Sequence, residues 1–256
     1  MPGRRRVILA QPFDLKQVYF QKINELIQRV EQTQSEAIDQ ASAIIAGAVE
    51  QGRGLHVFDT GHMLDSELID RAGGLYSFKR LSMRFEIDND VRKRPQDGEK
   101  DRSLEGLMKY ALKSSNVQPG DVLVIGSVSG KTVFPVDLAF EARQLGVTVI
   151  ALTSLTYSRL LKSDHSTGKR LFELADLAID NCAPALDAMI EVPDMDAAIC
   201  PASGISSAVI MWAIEARTVQ LLLEREIKPT VLKSINNPGS DKFNETQMLR
   251  YQETGH

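Results

Sequence analysis

The feature that most constrains the fold is an alternation of short apolar runs with segments of helical spacing after residue 54. Apolar runs at 55–59, 121–125 and 147–152 are typical of buried strands. Between the last two lies a helical pattern at 135–145, which Gly146 ends. Strands that alternate with helices form parallel sheets covered on both faces. The sequence therefore predicts an α/β fold with helices on both faces of the sheet.

The remaining chain fits the same pattern. Further predicted elements are a helix at 63–72, a strand within 76–85, a short helix at 171–175, a strand at 177–180 and a long buried helix at 205–225. We divide the chain into an N-terminal helical segment (1–52), an α/β domain (53–229) and a C-terminal tail with a helix (230–256). The segment at 86–102 has eleven charged residues among seventeen and is interpreted as a solvated loop or cover without chemistry of its own.

The N-terminal segment is unusually long for one domain. Apolar residues recur every three or four positions from 14 to 50, with one gap of seven. An unbroken helix of this length would extend roughly 55 Å. Three interpretations stay open: part of the helix packs on another subunit, the segment breaks into two helices, or one amphipathic helix lies on its own core.

Charge and composition exclude several classes of protein. Thirty basic and 34 acidic residues give a net charge of −4, which does not favour nucleic-acid binding. The two cysteines, Cys182 and Cys200, form neither a disulfide framework nor a paired zinc motif. No apolar run approaches the roughly 18 residues that span a bilayer. We therefore predict a cytoplasmic protein with no nucleic-acid or membrane partner.

A loop rich in small hydroxylated residues follows the strand at 121–125. It contains the candidate phosphate-binding residues Ser127, Ser129, Gly130, Lys131 and Thr132. A loop that leads from a strand into a helix presents free backbone N–H groups at the positive end of the helix dipole. Gly130 would let the backbone approach a ligand closely. Only three residues separate the loop's two glycines, whereas a nucleotide-binding P-loop needs four, so an NTPase is not favoured.

Two further loops could line the same pocket, because ligands of open parallel sheets bind beyond the carboxyl ends of the strands. After the first strand, Thr60 and Gly61 precede a helix that carries Glu67. The Glu67 side chain either points back towards the carboxyl ends of the strands or is exposed to solvent on the helix surface. Ser203 and Ser206 stand before and at the start of the long buried helix. Ser203 is either a helix N-cap or part of a polar pocket.

Together these loops resemble those of a known family. The pattern Ser127-x-Ser129-Gly130-x-Thr132 after a strand is similar to the signature of SIS (sugar isomerase) domains, which bind phosphorylated sugars. The resemblance extends over residues 13–252. Segments that look like an uncharacterised SIS subfamily, related to phosphoheptose isomerases and N-acetylmuramic acid 6-phosphate etherases, lie at 60–67, 71–74, 151–154, 165–171 and 175–181.

The resemblance implies a fold and an assembly. It implies a five-stranded parallel sheet between helices, a flavodoxin-like three-layer sandwich, with residues 53–229 as the SIS domain. It also implies a homodimer or homotetramer with sites near the subunit boundaries. Ser127, Ser129 and Thr132 match the phosphate-binding positions. Glu67 matches the position of the catalytic base of the etherases.

We predict a sugar-phosphate isomerase. Aldose–ketose isomerisation needs a base beside a carbon acid and an acid beside the carbonyl oxygen. Glu67 would be the base, and His165 or His62 the proton donor. Two alternatives stay open: a sugar-phosphate lyase or etherase that uses the same carboxylate, and a non-catalytic phosphosugar sensor that acts through a protein partner.

We predict no cofactor and no metal. Some phosphoheptose isomerases use a zinc ion, and His62 with Glu67 could contribute ligands to one. These two residues are five positions apart, however, not the four that place both on one face of a helix.

Overall fold

The chain forms the predicted parallel sheet. A computed structural model of the protein describes residues 14–61, 63–86, 88, 90–92 and 104–256. Within these residues the strands of the main sheet are β1 (Leu55–Asp59), β2 (Phe78–Arg80), β3 (Val122–Gly126), β4 (Thr148–Thr153) and β5 (Leu177–Asp180). Their order is β2-β1-β3-β4-β5, and all neighbouring pairs are parallel. The predicted five-stranded parallel sheet is thereby confirmed.

Helices cover this sheet on both faces. The helices are α1 (Leu15–Glu50), α2 (Asp65–Leu68), α3 (Leu107–Ser114), α4 (Val133–Gln144), α5 (Leu155–Ser158), α6 (Leu171–Leu174), α7 (Ser203–Glu224) and α8 (Ser240–Thr254). Because side chains alternate along a strand, β3 contributes Val122 and Val124 to one apolar cluster, with α1 and α7, and Leu123 and Ile125 to another, with α3 and α4. The two clusters are the two halves of a three-layer core.

The N-terminal segment is one continuous helix, so the interpretation as two helices is wrong. Asp14 begins α1 as its N-cap, where its carboxylate accepts hydrogen bonds from the backbone N–H groups of Lys16 and Gln17 at 3.0 and 3.3 Å. The helix has 36 residues and is therefore about 54 Å long. Its buried residues begin only at Leu26, while Phe20 in the first turns is 53% exposed.

We expect the protein to be an oligomer in solution. The early turns of α1 carry apolar surface, such as Phe20, that the described residues leave exposed, and burial of such surface against a second copy is favourable. Light scattering at micromolar concentration should return at least twice the chain mass of 28.3 kDa. A monomer mass under those conditions would contradict this expectation.

Some predicted elements differ in length. The helix predicted at 63–72 is only α2, because Ile69 is extended and Asp70 adopts a left-handed conformation with φ of 56°. The predicted strand within 76–85 is reduced to the three residues of β2. A small antiparallel pair, β6 (Ala188–Ile190) and β7 (Ile199–Pro201), was not predicted. These short elements are held by tertiary contacts rather than by a periodic pattern.

Helix α7 is the apolar centre of one face. In the part of the chain that the structure describes, α7 is the helix whose length and composition would allow it to cross a membrane. Its residues Ile210, Met211 and Ile214 are buried, and the Ser42 hydroxyl of α1 donates a hydrogen bond to the Ile214 carbonyl. Helix α7 packs against α1 and is therefore interpreted as a core helix on one face of the sheet.

Candidate functional site

A cleft opens where the connections of the sheet change direction. The chain leaves β1 towards β2 on one side and leaves β3 towards β4 on the other, so the carboxyl ends of β1 and β3 form a topological switch point. The cleft at this point has a volume of about 500 Å³. It is lined by Asp59, Thr60, Gly61, Met63, Ser127, Val128, Ser129, Thr132, Tyr157, Leu186 and Asp187. The structure thus brings five sequence-predicted residues together, namely Thr60, Gly61, Ser127, Ser129 and Thr132.

The loop after β3 is fixed by close contacts with its surroundings. Gly130 has a φ of +57°, a conformation that favours glycine. A Cβ atom at this position would lie 3.1 Å from the Thr153 hydroxyl oxygen and 3.2 Å from the Leu171 Cβ. The Gly130 carbonyl also accepts a hydrogen bond from the Leu171 N–H at 2.8 Å. Gly130 therefore determines the shape of the loop through its close contacts with Thr153 and Leu171, and it does not itself line the cleft.

The hydroxyl groups of the same loop are available to a ligand. Within the described part of the chain, the side chains of Ser127, Ser129 and Thr132 make no hydrogen bond. Thr132 is the N-cap residue of α4, yet its side chain does not cap the helix. The N-cap residue of α4 and the two serines of the same loop therefore line one cleft, an arrangement that suits an anion.

The loop after β1 is organised by Asp59, which sequence reasoning missed. One carboxylate oxygen accepts the Gly61 N–H at 3.1 Å, and the other accepts the N–H groups of Met63 and Leu64. The Thr60 N–H donates to the Gly126 carbonyl at 3.1 Å and so ties this loop to the end of β3. An Asp at the end of a strand, two residues before a glycine, is a turn signal, which could have identified Asp59.

A second acid missed by the sequence analysis, Asp187, forms the opposite wall. Its carboxylate accepts hydrogen bonds from the Ser203 N–H and hydroxyl, each at 2.8 Å, and from the Ala202 N–H at 3.1 Å. Ser203 therefore lies behind Asp187. Ser206 is buried and donates to the Ala202 carbonyl at 3.2 Å within α7. Neither serine lines the cleft, and no sequence pattern connects Asp187 with the start of α7.

Two charged candidates lie beside the cleft and are paired with other side chains. The Lys131 ammonium contacts both Asp164 carboxylate oxygens, at 2.6 and 2.9 Å. The Glu67 carboxylate lies 3.3 Å from the guanidinium of Arg71, four residues further along the chain, and the Glu67 side chain is 39% exposed. Neither residue lines the cleft, although α2 follows directly after the cleft residue Met63.

His165 lies inside the protein, away from the cleft. Its side chain is 3% exposed, and its ring contacts Thr167 at 2.9 Å, Asp137 at 3.5 Å and Glu105 at 3.6 Å. The Asp137 carboxylate also accepts the N–H groups of Gly106 and Met108, so this cluster holds the start of α3 against α4. The other predicted proton donor, His62, is outside the described residues.

No group of three or more His, Cys, Asp or Glu side chains suited to a metal ion occurs among the residues that the structure describes. The cleft's own carboxylates, on Asp59 and Asp187, are engaged by backbone N–H groups. The lining described above therefore favours an anion with hydroxyl groups over a cation as the ligand.

Comparison with known proteins agrees with this geometry. A family model described as SIS domain matches residues 18–154. A UPF0309 protein of Shouchella clausii is 33% identical over 240 residues, covering 93% of this chain and 97% of the relative. A UPF0309 protein of Streptomyces griseus is 33% identical over 237 residues, covering 92% and 94%.

Solved structures are more distant. A phosphoheptose isomerase from Francisella tularensis is 14% identical, covers 82% of this chain and 100% of its own, and gives a TM-score of 0.48. The phosphoheptose isomerase of Neisseria gonorrhoeae is also 14% identical, with coverages of 81% and 98% and a TM-score of 0.46. The family model covers more than half of the chain, and the curated relatives cover nearly all of it. The chain belongs to the SIS-domain family, among its UPF0309 members.

Proposed function

We propose that this chain binds a sugar phosphate in the cleft, with the phosphate group against the loop at 127–132. The observation that carries the proposal is the convergence of the Ser127, Ser129 and Thr132 hydroxyls with the start of α4. Hydroxyl and backbone N–H donors at a helix N-terminus are a common arrangement for phosphate. Membership of the SIS-domain family supports the same ligand class.

The other end of the cleft suits the body of a sugar. Beyond the phosphate loop it offers the polar groups of Thr60, Tyr157 and Asp187, together with the backbone at Gly61. A volume of about 500 Å³ lies within the usual range of small-molecule sites. Such alternating hydroxyl, carboxylate and backbone groups can hydrogen-bond several sugar hydroxyls and reject an apolar ligand.

The finer proposal is an aldose–ketose isomerase with Glu67 as the base. Its support is the continuity of α2 with the cleft loop, which Asp59 fixes, and the exposure of the Glu67 carboxylate to solvent. His62, in the same loop, would donate the proton to the carbonyl oxygen. The burial of His165 favours a structural role for that residue. A lyase or etherase would use the same carboxylate to remove a proton next to a leaving group.

A phosphosugar sensor is the second candidate function. The specific observation in its favour is that Asp59 and Asp187, the carboxylates lining the described cleft, both accept backbone N–H groups. A carboxylate fixed in this way orients a loop or a helix start, and its oxygens are already occupied by hydrogen-bond donors. Sugar-phosphate binding without proton exchange would identify a sensor.

We expect Ser129→Ala to weaken binding of a sugar phosphate by about 1–3 kcal/mol, or roughly fivefold to 150-fold, because a hydrogen bond to a charged group is lost. A thermal-shift screen over a panel of sugar phosphates would first identify the ligand. Saturation at 100 times Kd stabilises a protein by about 2.7 kcal/mol, which such a screen detects. Isothermal titration calorimetry then gives Kd for the wild type and the variant.

The matched control is Ser35→Ala, which removes a hydroxyl from the exposed side of α1 and should leave Kd unchanged. The sugar without its phosphate should bind poorly to all three proteins. Equal affinity for the sugar with and without phosphate would contradict the proposed phosphate site, as would a Ser129→Ala variant that binds like the wild type.

A further inference from the structure

A second cavity lies at the opposite end of β1 from the cleft. It has a volume of about 440 Å³ and is bounded by the amino ends of β1 and β3, by the edge strand β2 and by the last turn of α8. The five residues of β1 separate the two sites by roughly 13 Å along the strand. This second cavity, which we call the amino-end cavity, therefore shares no lining residue with the cleft.

Cationic side chains dominate the lining of the amino-end cavity. Arg53, Lys79 and Arg80 all contribute to it. The Lys79 ammonium lies 3.1 Å from the centre of the Tyr76 ring and 5.2 Å from that of Tyr251. Among the described residues, no carboxylate forms an ion pair with Lys79. Partial burial lowers the Lys79 pKa, against an opposing effect of Asp70, so the charge of this ammonium is incompletely compensated.

The acid in the described lining, Asp121, forms an ion pair with neither Arg53 nor Lys79 among the described residues. Asp121 accepts the Gly54 N–H at 2.8 Å, the Gln118 N–H at 2.8 Å and a hydrogen bond with His56 Nε2 at 2.9 Å. These three bonds occupy both carboxylate oxygens. Asp121 therefore holds the turn before β3 and the imidazole of His56, and the Arg53 guanidinium donates to the Pro119 carbonyl at 3.3 Å. Among the described residues, neither Arg53 nor Lys79 forms an ion pair with a carboxylate.

Neutral hydrogen-bond donors complete the lining. The side chains of Asn116 and Gln118 contribute amide groups at one side. Burial raises the pKa of Tyr251, so its phenol stays protonated at neutral pH and can donate a hydrogen bond. The Tyr76 and Tyr251 rings meet edge to face at 5.2 Å, which gives Lys79 a rigid aromatic support.

We propose that the amino-end cavity is a separate binding site for a small phosphorylated compound. Arg53 and Lys79 would contact the phosphate oxygens, and Tyr251, Asn116 and Gln118 would hydrogen-bond the rest of the ligand. A doubly charged phosphate compensates the two cations at once, whereas a neutral ligand of the same size leaves Lys79 uncompensated. The proposal does not depend on the function of the cleft.

Inorganic pyrophosphate is a suitable probe, because it carries the charge without a sugar. We expect isothermal titration calorimetry to detect its binding to the full-length wild type. Lys79→Met should weaken this binding at least tenfold, since methionine retains the apolar stem but not the ammonium. Arg53→Gln, at an exposed position, is a second variant in case Lys79→Met fails to fold. Sugar-phosphate binding in the cleft should be unchanged in both variants.

Two controls locate the effect. Lys22→Met makes the same change of charge on the exposed side of α1 and should leave pyrophosphate binding unchanged. Ser129→Ala alters the cleft, where pyrophosphate can also bind, and should leave the part of pyrophosphate binding that depends on Lys79 unchanged. The proposal is overturned if the wild type does not bind pyrophosphate, if the folded Lys79 and Arg53 variants bind it like the wild type, or if Ser129→Ala alone abolishes binding.

Discussion

Replacing Glu67 by glutamine is expected to lower the rate of sugar-phosphate isomerisation by about 10²–10⁴-fold, while Kd for the sugar phosphate stays nearly constant. Glutamine keeps the shape of the side chain and a hydrogen-bond acceptor but cannot take a proton. The change separates a catalytic base from a surface acid, because loss of a surface acid is nearly neutral. The measurement is incorporation of solvent deuterium into the substrate identified by the ligand screen.

The ion pair of Glu67 with Arg71 supplies the matched control. Arg71→Gln breaks this 3.3 Å contact but retains the carboxylate. It should therefore retain most of the exchange, whereas Glu67→Gln should not. Exchange that persists in Glu67→Gln would show that another residue removes the proton. Binding without any exchange in the wild type would contradict the isomerase proposal and support a sensor.

The second large effect concerns Glu215, a buried acid of α7. Its side chain lies in the core at 3% exposure, with one carboxylate oxygen accepting the Leu75 N–H at 2.8 Å and the other without a partner among the described residues. Burial raises the pKa of Glu215 from 4.5 to about 7. The folded protein therefore binds a proton that the unfolded chain has released between these two pH values.

The sign of the pH dependence follows from that difference. As pH rises, stability falls over every pH range in which the folded state binds more protons than the unfolded state. We expect Glu215 to lower the free energy of unfolding by about 3 kcal/mol in total as pH rises from about 4.5 through the folded-state pKa of about 7, and this loss should level off about one pH unit above 7. Urea unfolding of the wild type and Glu215→Gln across this range measures the effect as the difference between the two profiles.

Glu215→Gln should not show this loss of stability with rising pH, since its amide does not ionise. The variant should therefore be more stable than the wild type at pH 8. Glu224→Gln, at the exposed end of the same helix, is the matched control and should keep the wild-type profile. Parallel profiles for the wild type and Glu215→Gln would show that Glu215 titrates alike in the folded and unfolded chains.

The sequence alone determined the sheet and the position of the hydroxyl-rich loop after β3. Alternation of apolar runs with helical patterns is a local signal, and the β3 run is buried along its whole length as expected for a central parallel strand. The hydroxyl-rich stretch from Ser127 to Thr132 could be placed at the ligand edge because parallel strands end on the same side. The division into segments and the cytoplasmic location stay predictions.

Local patterns were less informative where the chain lacks periodicity. The helix predicted at 63–72 had apolar spacing in its favour, but the carboxylate of Asp59 holds its first N–H groups and the backbone turns away after Leu68. The elements β6 and β7 have three residues each, too few for a recognisable alternation.

The tertiary structure alone decided which polar residues line the cleft. Asp187 reaches the cleft because its carboxylate fixes the start of α7 across sixteen positions of sequence. His165, on a loop beyond a strand end, turns inwards to Thr167 and Asp137, and Lys131 turns to Asp164. The order of strands and loops along the sequence determines the edge of the sheet at which a side chain lies. The direction in which the side chain points depends on partners that only the folded chain brings near, because buried and charged groups orient towards whichever groups satisfy them.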